Sequence, residues 1–164
     1  NVDFFALNRL FFITIPYACL FIYEVMNYFV RRDILGKIAP VLCYILILVL
    51  LILGLLNLDK WYTSVTFILT SAFLAYVVFI LKPEYLGRFF LGYFVSLIPF
   101  FIVNGILTGT WISEQIVWYN DAENLGIRLG TIPVEDSIYM MLMLLIVTVV
   151  YERNRPVELQ KQPV

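Results

Sequence analysis

Long apolar runs dominate this sequence and limit what it can fold into. The clearest run, Ile38 to Leu58, is almost unbroken leucine, isoleucine and valine, and comparable runs of about 20 residues recur along the chain. A helix of about 20 apolar residues spans the hydrocarbon core of a bilayer, whereas barrel strands would alternate over about 10 residues. Because unpaired backbone amides are intolerable in hydrocarbon, the runs predict transmembrane helices.

Composition supports the same conclusion. Of the 164 residues, 62% are hydrophobic and 14% are charged, whereas a soluble domain has about 45–50% apolar and about 25% charged residues. We therefore predict an all-α fold, a polytopic integral membrane bundle of about five transmembrane helices in a single domain. The predicted spans are Phe4 to Val30, Ile38 to Leu58, Tyr62 to Leu81, Arg88 to Leu107 and Ile132 to Tyr151, with an interfacial or re-entrant loop over 108–131 and a tail over 152–164.

Lysine and arginine residues are divided unevenly between the two ends of the predicted helices. The positive-inside rule assigns the richer side to the cytoplasm. That side includes the tail, so we expect a multi-pass protein of the cell membrane, surrounded by lipid, with a cytoplasmic C-terminus. The richer side holds Arg31, Arg32, Lys37, Lys82, Arg88, Arg153, Arg155 and Lys161, and the other side holds Lys60 and Arg128.

The sequence lacks the residues that several classes of function require. The net charge is −1 and the only basic cluster is Arg31-Arg32, so nucleic acid is not an expected partner. The chain has no histidine, and Cys19 and Cys43 lie within apolar runs, so no metal, haem or iron–sulfur ligand set is present. Glycine-rich phosphate-binding motifs are also absent from the sequence, so no cofactor is identifiable.

Two adjacent carboxylates open the fifth span. Glu135 and Asp136 follow Pro133, a residue that suits a first helical turn, and acidic groups there interact favourably with the helix dipole. That structural interpretation competes with a functional one, because ionisable groups inside a membrane are costly and are usually functional. Adjacent residues lie about 100° apart around a helix, so we expect one carboxyl to face the bundle and the other the loop or headgroups.

Three further residues are candidates for a polar site at this depth. Asn104 lies near the outer end of the fourth span and Asn8 near the start of the first. The alternative is that each asparagine only joins helices by hydrogen bonds. Tyr139 lies one helical turn after Glu135, where its ring face could stabilise a carbocation.

The two ends of the chain contain a faint internal repeat. Ile22-Tyr23-Glu24 at the end of the first span matches Val150-Tyr151-Glu152 at the end of the fifth. This predicts two equivalent helices in parallel orientation, as in parallel transporter repeats.

Several segments resemble the lycopene cyclase domain of the small-membrane-protein type, a carotenoid cyclase found as paired subunits or tandem repeats. The segments are Phe101-Ile102-Val103-Asn104-Gly105-Ile106-Leu107-Thr108, Trp118-Tyr119-Asn120, Leu125-Gly126-Ile127-Arg128-Leu129-Gly130, Pro133-Val134-Glu135-Asp136, and a helix ending Tyr151-Glu152.

This resemblance implies β-cyclisation of an end group of a linear C40 carotenoid, an isomerisation of a lipophilic substrate without redox change. In the family each repeat carries a Pro-x-Glu-Glu/Asp motif. Glu135 and Asp136 match the second motif, and Phe5-Ala6-Leu7-Asn8 occupies the place of the first. The resemblance implies Glu135 as acid or base with Asp136 as its partner, and leaves open a homo- or hetero-oligomer with a second cyclase half. From their positions in the sequence, rather than from the resemblance, we predict Asn8, Asn104, Asn120, Arg128 and Tyr139 as supporting, substrate-binding residues.

Two other functions fit parts of the sequence. The missing first acidic motif favours a non-catalytic carotenoid-binding or assembly subunit. Asn120-Asp121-Ala122-Glu123-Asn124 also echoes the magnesium–diphosphate motif of membrane prenyltransferases with aromatic acceptors, although no second aspartate-rich motif follows it.

Overall fold

The computed structural model describes residues 4–30, 32–112 and 114–155, with side chains from residue 17 onward. The described chain is essentially all-α, as predicted. Its helices are α1 (Phe4–Phe29), α2 (Ala39–Leu56), α3 (Trp61–Tyr76) continued by a π-helical turn (Val77–Leu81), α4 (Leu86–Leu107) and α5 (Val134–Asn154). Two short strands, β1 (Arg128–Leu129) and β2 (Ile132–Pro133), pair as an antiparallel hairpin before α5.

Within the part of the chain that the structure describes, four helices are long and apolar enough to cross a membrane: α2, α3 with its π turn, α4 and α5. The helix α1 has 26 residues, which is about 39 Å at 1.5 Å per residue and exceeds the thickness of the hydrocarbon core. Its sequence also contains the polar residues Asn8, Arg9, Glu24 and Asn27. The first predicted span therefore stays a prediction.

The helix α5 lies at the centre of the bundle. It packs against α1, α3 and α4, whereas α2 packs mainly along α3. Half of the α5 span is buried within the protein, compared with 22% for α2. Polar side chains on α5 are therefore the ones most shielded from lipid.

Glycines allow close helix contacts at two places. A Cβ atom added at Gly54 of α2 would lie 2.8 Å from Ile68 Cγ1 of α3. One added at Gly92 of α4 would lie 3.3 Å from the ring of Tyr23 on α1. Such small residues permit the tight packing on which helix association in membranes depends.

The loop between α4 and α5 folds back over the start of α3. The carbonyl oxygen of Glu123 accepts hydrogen bonds from the backbone N–H groups of Tyr62 and Thr63, at 3.0 and 3.3 Å. Its carboxylate accepts the N–H of Trp61 at 3.1 Å. The first N–H groups of a helix have no partner within the helix. Glu123 therefore satisfies these groups and fixes the loop to α3.

Candidate active site

The acidic pair forms the first turn of α5. Pro133 precedes the helix with a φ of −59°, and Glu135 and Asp136 follow it. Proline sets this backbone angle without losing a needed N–H, and acids in the first turn interact favourably with the helix dipole. Both acids are buried, with Glu135 0% and Asp136 6% exposed.

Glu135 faces α3 and the loop. Its Oε1 atom accepts hydrogen bonds from the Thr63 hydroxyl at 2.6 Å and from the backbone N–H of Leu125 at 2.7 Å. Its Oε2 atom is buried without a partner among the described residues. Glu135 thus links the start of α5 to two other parts of the chain.

Asp136 faces a different set of neighbours. Its Oδ1 accepts a hydrogen bond from the Tyr62 hydroxyl. Its Oδ2 accepts from the Tyr119 hydroxyl and, at 2.9 Å, from Nδ2 of Asn104. The donors come from α3, the loop and α4, and all three are uncharged. The carboxyl group of Asp136 is therefore held by three neutral hydrogen-bond donors.

These four side chains form the polar end of a cavity of about 430 Å³. The cavity extends between α1, α4 and α5, and most of its lining is apolar. An apolar cavity of a few hundred Å³ with a few convergent polar groups is typical of a small-molecule site. The remaining lining residues are Ala18, Cys19, Ile22, Ser96, Pro99, Phe100, Val103, Leu107, Val117, Tyr139, Met140 and Met143.

The structure brings only some of the predicted site residues together. Asn104, Asp136 and Tyr139 line the cavity, whereas Glu135 lies behind Asp136 and is not part of its lining. The two adjacent carboxyls thus diverge. Asn8 belongs to the part of α1 whose side chains are outside the described residues.

The loop candidates make contacts within the loop. Asn120 Oδ1 accepts the N–H of Ala122 at 3.1 Å. Arg128 forms an ion pair with Asp121 and donates to the carbonyl of Thr131 at 2.9 Å. The hydrogen bond from Arg128 lowers the pKa of the Asp121 carboxyl. Neither Asn120 nor Arg128 lines the cavity, and their role towards a substrate stays a prediction.

Sequence reasoning missed the partners of the acidic pair. Tyr62 lies 74 positions before Asp136, and Thr63 lies 72 positions before Glu135. Tyrosines near the end of a span are commonly interfacial anchors, so the residue type and position of Tyr62 do not by themselves indicate a site. Tyr119 belongs to a segment that carries the family resemblance. Burial of the Tyr119 side chain raises the pKa of its hydroxyl, and the hydrogen bond to Asp136 raises it further.

The comparison with known protein families matches this same region. A family model for lycopene cyclase covers residues 59–153, which include α3, α4, the loop and nearly all of α5. The chain belongs to the lycopene cyclase family. No curated protein and no solved structure shows a significant match.

Membership of the lycopene cyclase family confirms the resemblance seen in the sequence. It indicates a cyclase-type enzyme of carotenoid biosynthesis, and the four long apolar helices indicate a membrane protein. The matched region contains the complete hydrogen-bonded cluster from Tyr62 to Asp136.

Proposed function

We propose that this protein is a lycopene β-cyclase, or one half of such an enzyme, which cyclises an end group of a linear C40 carotenoid. One observation carries the proposal: a buried carboxylate, Asp136, lies at the polar end of an otherwise apolar cavity. A polyene end group is apolar and needs such a cavity, with an acid–base group at the atoms that react.

The reaction adds one proton and removes another. Protonation of the terminal double bond creates a cation on the carbon that bears two methyl groups. The next suitably placed double bond attacks this carbon, which closes a six-membered ring and moves the cation to a methyl-bearing ring carbon. Loss of a proton from a neighbouring carbon restores neutrality. Because atoms and electrons balance, we propose that the reaction uses no bound redox cofactor.

We assign both proton transfers to Asp136. The carbon that receives the first proton and the ring carbon that loses the second are bonded to the same dimethyl carbon, so one carboxyl group can reach both. Asp136 as the acid gives up its proton, and the resulting carboxylate takes a proton from the ring and is restored. The rings of Phe100 and Tyr139 line the same cavity, and aromatic faces stabilise a passing cation.

Glu135 then has a supporting role. It does not line the cavity, and its bonds to Thr63 and Leu125 connect α5 with α3 and the loop. The loop carries Tyr119, which bonds Asp136. Glu135 thus preserves the surroundings of Asp136.

We further propose that the C-terminus lies in the cytoplasm. Arg88 and Arg153 line a second cavity at the end of the bundle opposite the acidic pair, and arginine-rich ends favour the cytoplasmic side. The substrate enters from the lipid around the helices. A second cyclase half is a proposed partner, because the place of the first acidic motif holds Phe5-Ala6-Leu7-Asn8.

A non-catalytic carotenoid-binding subunit is the second candidate. The single acidic motif and the apolar lining of the cavity favour it. Such a subunit would retain a carotenoid but would not form rings.

The deciding experiment expresses the chain in a host that accumulates lycopene, with Asp136→Asn as the matched variant at equal membrane abundance. Extraction and chromatography should reveal γ- or β-carotene with the wild-type chain and only lycopene with the variant. Purified protein that retains lycopene without cyclising it would favour the binding subunit. A wild-type chain that neither binds nor cyclises lycopene would overturn both proposals.

A further inference from the structure

We infer that Tyr62 and Tyr119 are positioning residues that fix the orientation of Asp136 and thereby decide which proton the cyclic cation loses. This inference rests on the proposed cyclase function and adds to it the determinant of the ring isomer. The observation behind it is that the two phenols hold opposite oxygen atoms of one carboxyl group.

The geometry fixes the carboxyl group from several directions. Tyr62 donates to Oδ1 and Tyr119 donates to Oδ2, while Asn104 adds a second bond to Oδ2. A carboxyl group held at only one oxygen can rotate about its last side-chain bond, whereas one held at both cannot rotate without breaking a hydrogen bond. The two phenols and the asparagine therefore specify the plane of the Asp136 carboxyl.

The phenols are themselves held in place. The backbone N–H of Tyr62 donates to the carbonyl of Glu123 at 3.0 Å. The rings of Tyr62 and Tyr119 lie side by side, with centroids 6.3 Å apart. The loop and the start of α3 thus orient both hydroxyls before any substrate binds, and such preorganised groups cost little reorganisation during reaction.

Hydroxyl groups suit a carboxyl that changes protonation state. A phenol donates a hydrogen bond to a carboxylate and accepts one from a carboxylic acid after rotation of its O–H bond. A lysine or arginine can only donate, and its charge would favour the carboxylate permanently. The contacts of Asp136 can therefore persist through both proton transfers.

Orientation matters because the final cation can lose a proton from any of three carbons. These are the ring carbon that bears the polyene, the other neighbouring ring carbon and the attached methyl group. Proton loss from each gives, respectively, a ring double bond conjugated with the polyene (β), an unconjugated ring double bond (ε) and an exocyclic double bond (γ). These carbons share one neighbour, so a base that can swing reaches more than one of them.

The test uses Tyr62→Phe, Tyr119→Phe and the double variant, purified into vesicles that contain lycopene. Each single variant should cyclise lycopene about 10- to 100-fold more slowly, the range for losing a hydrogen bond to a charged group. Each should also release a larger fraction of ε- or γ-type rings, measured by chromatography and absorption spectra. The double variant should show the largest fraction.

Tyr93→Phe is the matched control. Its buried hydroxyl donates to the carbonyl of Ser137 at 3.1 Å, one residue after Asp136, and Tyr93 does not line the cavity. Loss of this bond should lower stability but leave the ring isomers unchanged. If Tyr93→Phe changes the isomers as much as the other two variants do, the specific role of Tyr62 and Tyr119 is overturned.

A second readout does not depend on turnover. The infrared band of the Asp136 carboxyl group, identified by its disappearance in Asp136→Asn, should shift in Tyr62→Phe and Tyr119→Phe but not in Tyr93→Phe. An unshifted band, or unchanged rate and isomers in an active protein, overturns the inference while leaving the cyclase intact. A wild-type chain that forms no ring, either alone or together with a second cyclase half, overturns the proposed function, and the inference with it.

Discussion

The helix α5 carries an acid–tyrosine contact at each end, and the two differ in their surroundings. Near its start, Asp136 accepts hydrogen bonds from Tyr62 and Tyr119. Near its end, Glu152 accepts one from Tyr23 of α1 at 2.6 Å. Glu152 also lies 3.5 Å from a guanidinium nitrogen of Arg155, whereas the described donors to Asp136 are all neutral.

This difference distinguishes the structural contact of Glu152 from the proposed chemical role of Asp136. A cation beside Glu152 offsets its charge, and the same arginine lies 3.6 Å from Glu24 of α1. The contact therefore ties α1 to α5 at equivalent positions of the faint repeat. The lining of the cavity next to Glu152 includes the charged residues Glu84, Arg88 and Arg153. Asp136 instead opens onto an apolar cavity, which suits the proposed exchange of protons with a polyene.

The largest expected effect is the difference in ring formation between substitutions of Asp136 and of Glu152. Asp136→Asn should lower ring formation at least about 100-fold, because positioned acid–base groups contribute about 10²–10⁴-fold. Glu152→Gln keeps an acceptor for Tyr23 and should leave the rate within a few-fold. Both rates are measured on lycopene in purified vesicles at equal protein. The comparison breaks if folded Glu152→Gln is as inactive as Asp136→Asn.

The next effect concerns Glu135, the acid that lies behind the cavity. Glu135→Ala leaves the Thr63 hydroxyl and the Leu125 N–H unpaired, at about 1–3 kcal/mol each, so the unfolding free energy should fall by about 2–6 kcal/mol. Glu135→Gln retains an acceptor oxygen and should cost less. Thermal unfolding in detergent measures both. Equal stability of the three proteins would contradict the supporting role, and a stable but inactive Glu135→Gln would make Glu135 a catalytic acid.

Tyr23→Phe should have a smaller effect, at the other end of α5. It removes the hydrogen bond to Glu152 and should lower unfolding free energy by about 1–2 kcal/mol. The ring isomers should not change, in contrast to Tyr62→Phe. Thermal unfolding and product chromatography of the same preparations test both statements. A changed isomer ratio in Tyr23→Phe would contradict the proposed difference in role between the two ends of α5.

The sequence alone was sufficient to predict the positions of the helices and the candidate acidic residues. Each predicted span overlaps one helix, since a run of apolar residues needs only sufficient length to cross a bilayer. Asp136 and Asn104 were found because polar groups are rare and costly at membrane depth. That argument depends on composition along the chain, and it needs no knowledge of which helices are neighbours.

The partners of these acids could not be predicted in the same way. Tyr62 is 74 residues from Asp136, and only the folding of the loop over α3 brings them together. Asn120 and Arg128 were predicted as site residues because they lie in a loop rich in polar residues. In the structure their side chains form hydrogen bonds within that loop. The π-helical turn over Val77–Leu81 consists only of apolar residues, so no sequence signal distinguishes it from the α-helix before it.

The smallest expected effect comes from a third acid, Asp121, whose surroundings are aqueous. Its ion pair with Arg128 lowers its pKa, so the pair stabilises the fold at pH values above the unfolded-state pKa, and this stabilisation is lost as the pH falls through the folded-state pKa. Because Asp121 is exposed, solvent screens the interaction and the gain is small. Asp121→Asn should therefore lower the thermal midpoint slightly at neutral pH and not at all at acidic pH, with unchanged ring formation. A large loss of activity in this variant would show that the charges of the loop affect the chemistry in the cavity. The neutral surroundings of Asp136 would then no longer explain how Asp136 differs from Glu152.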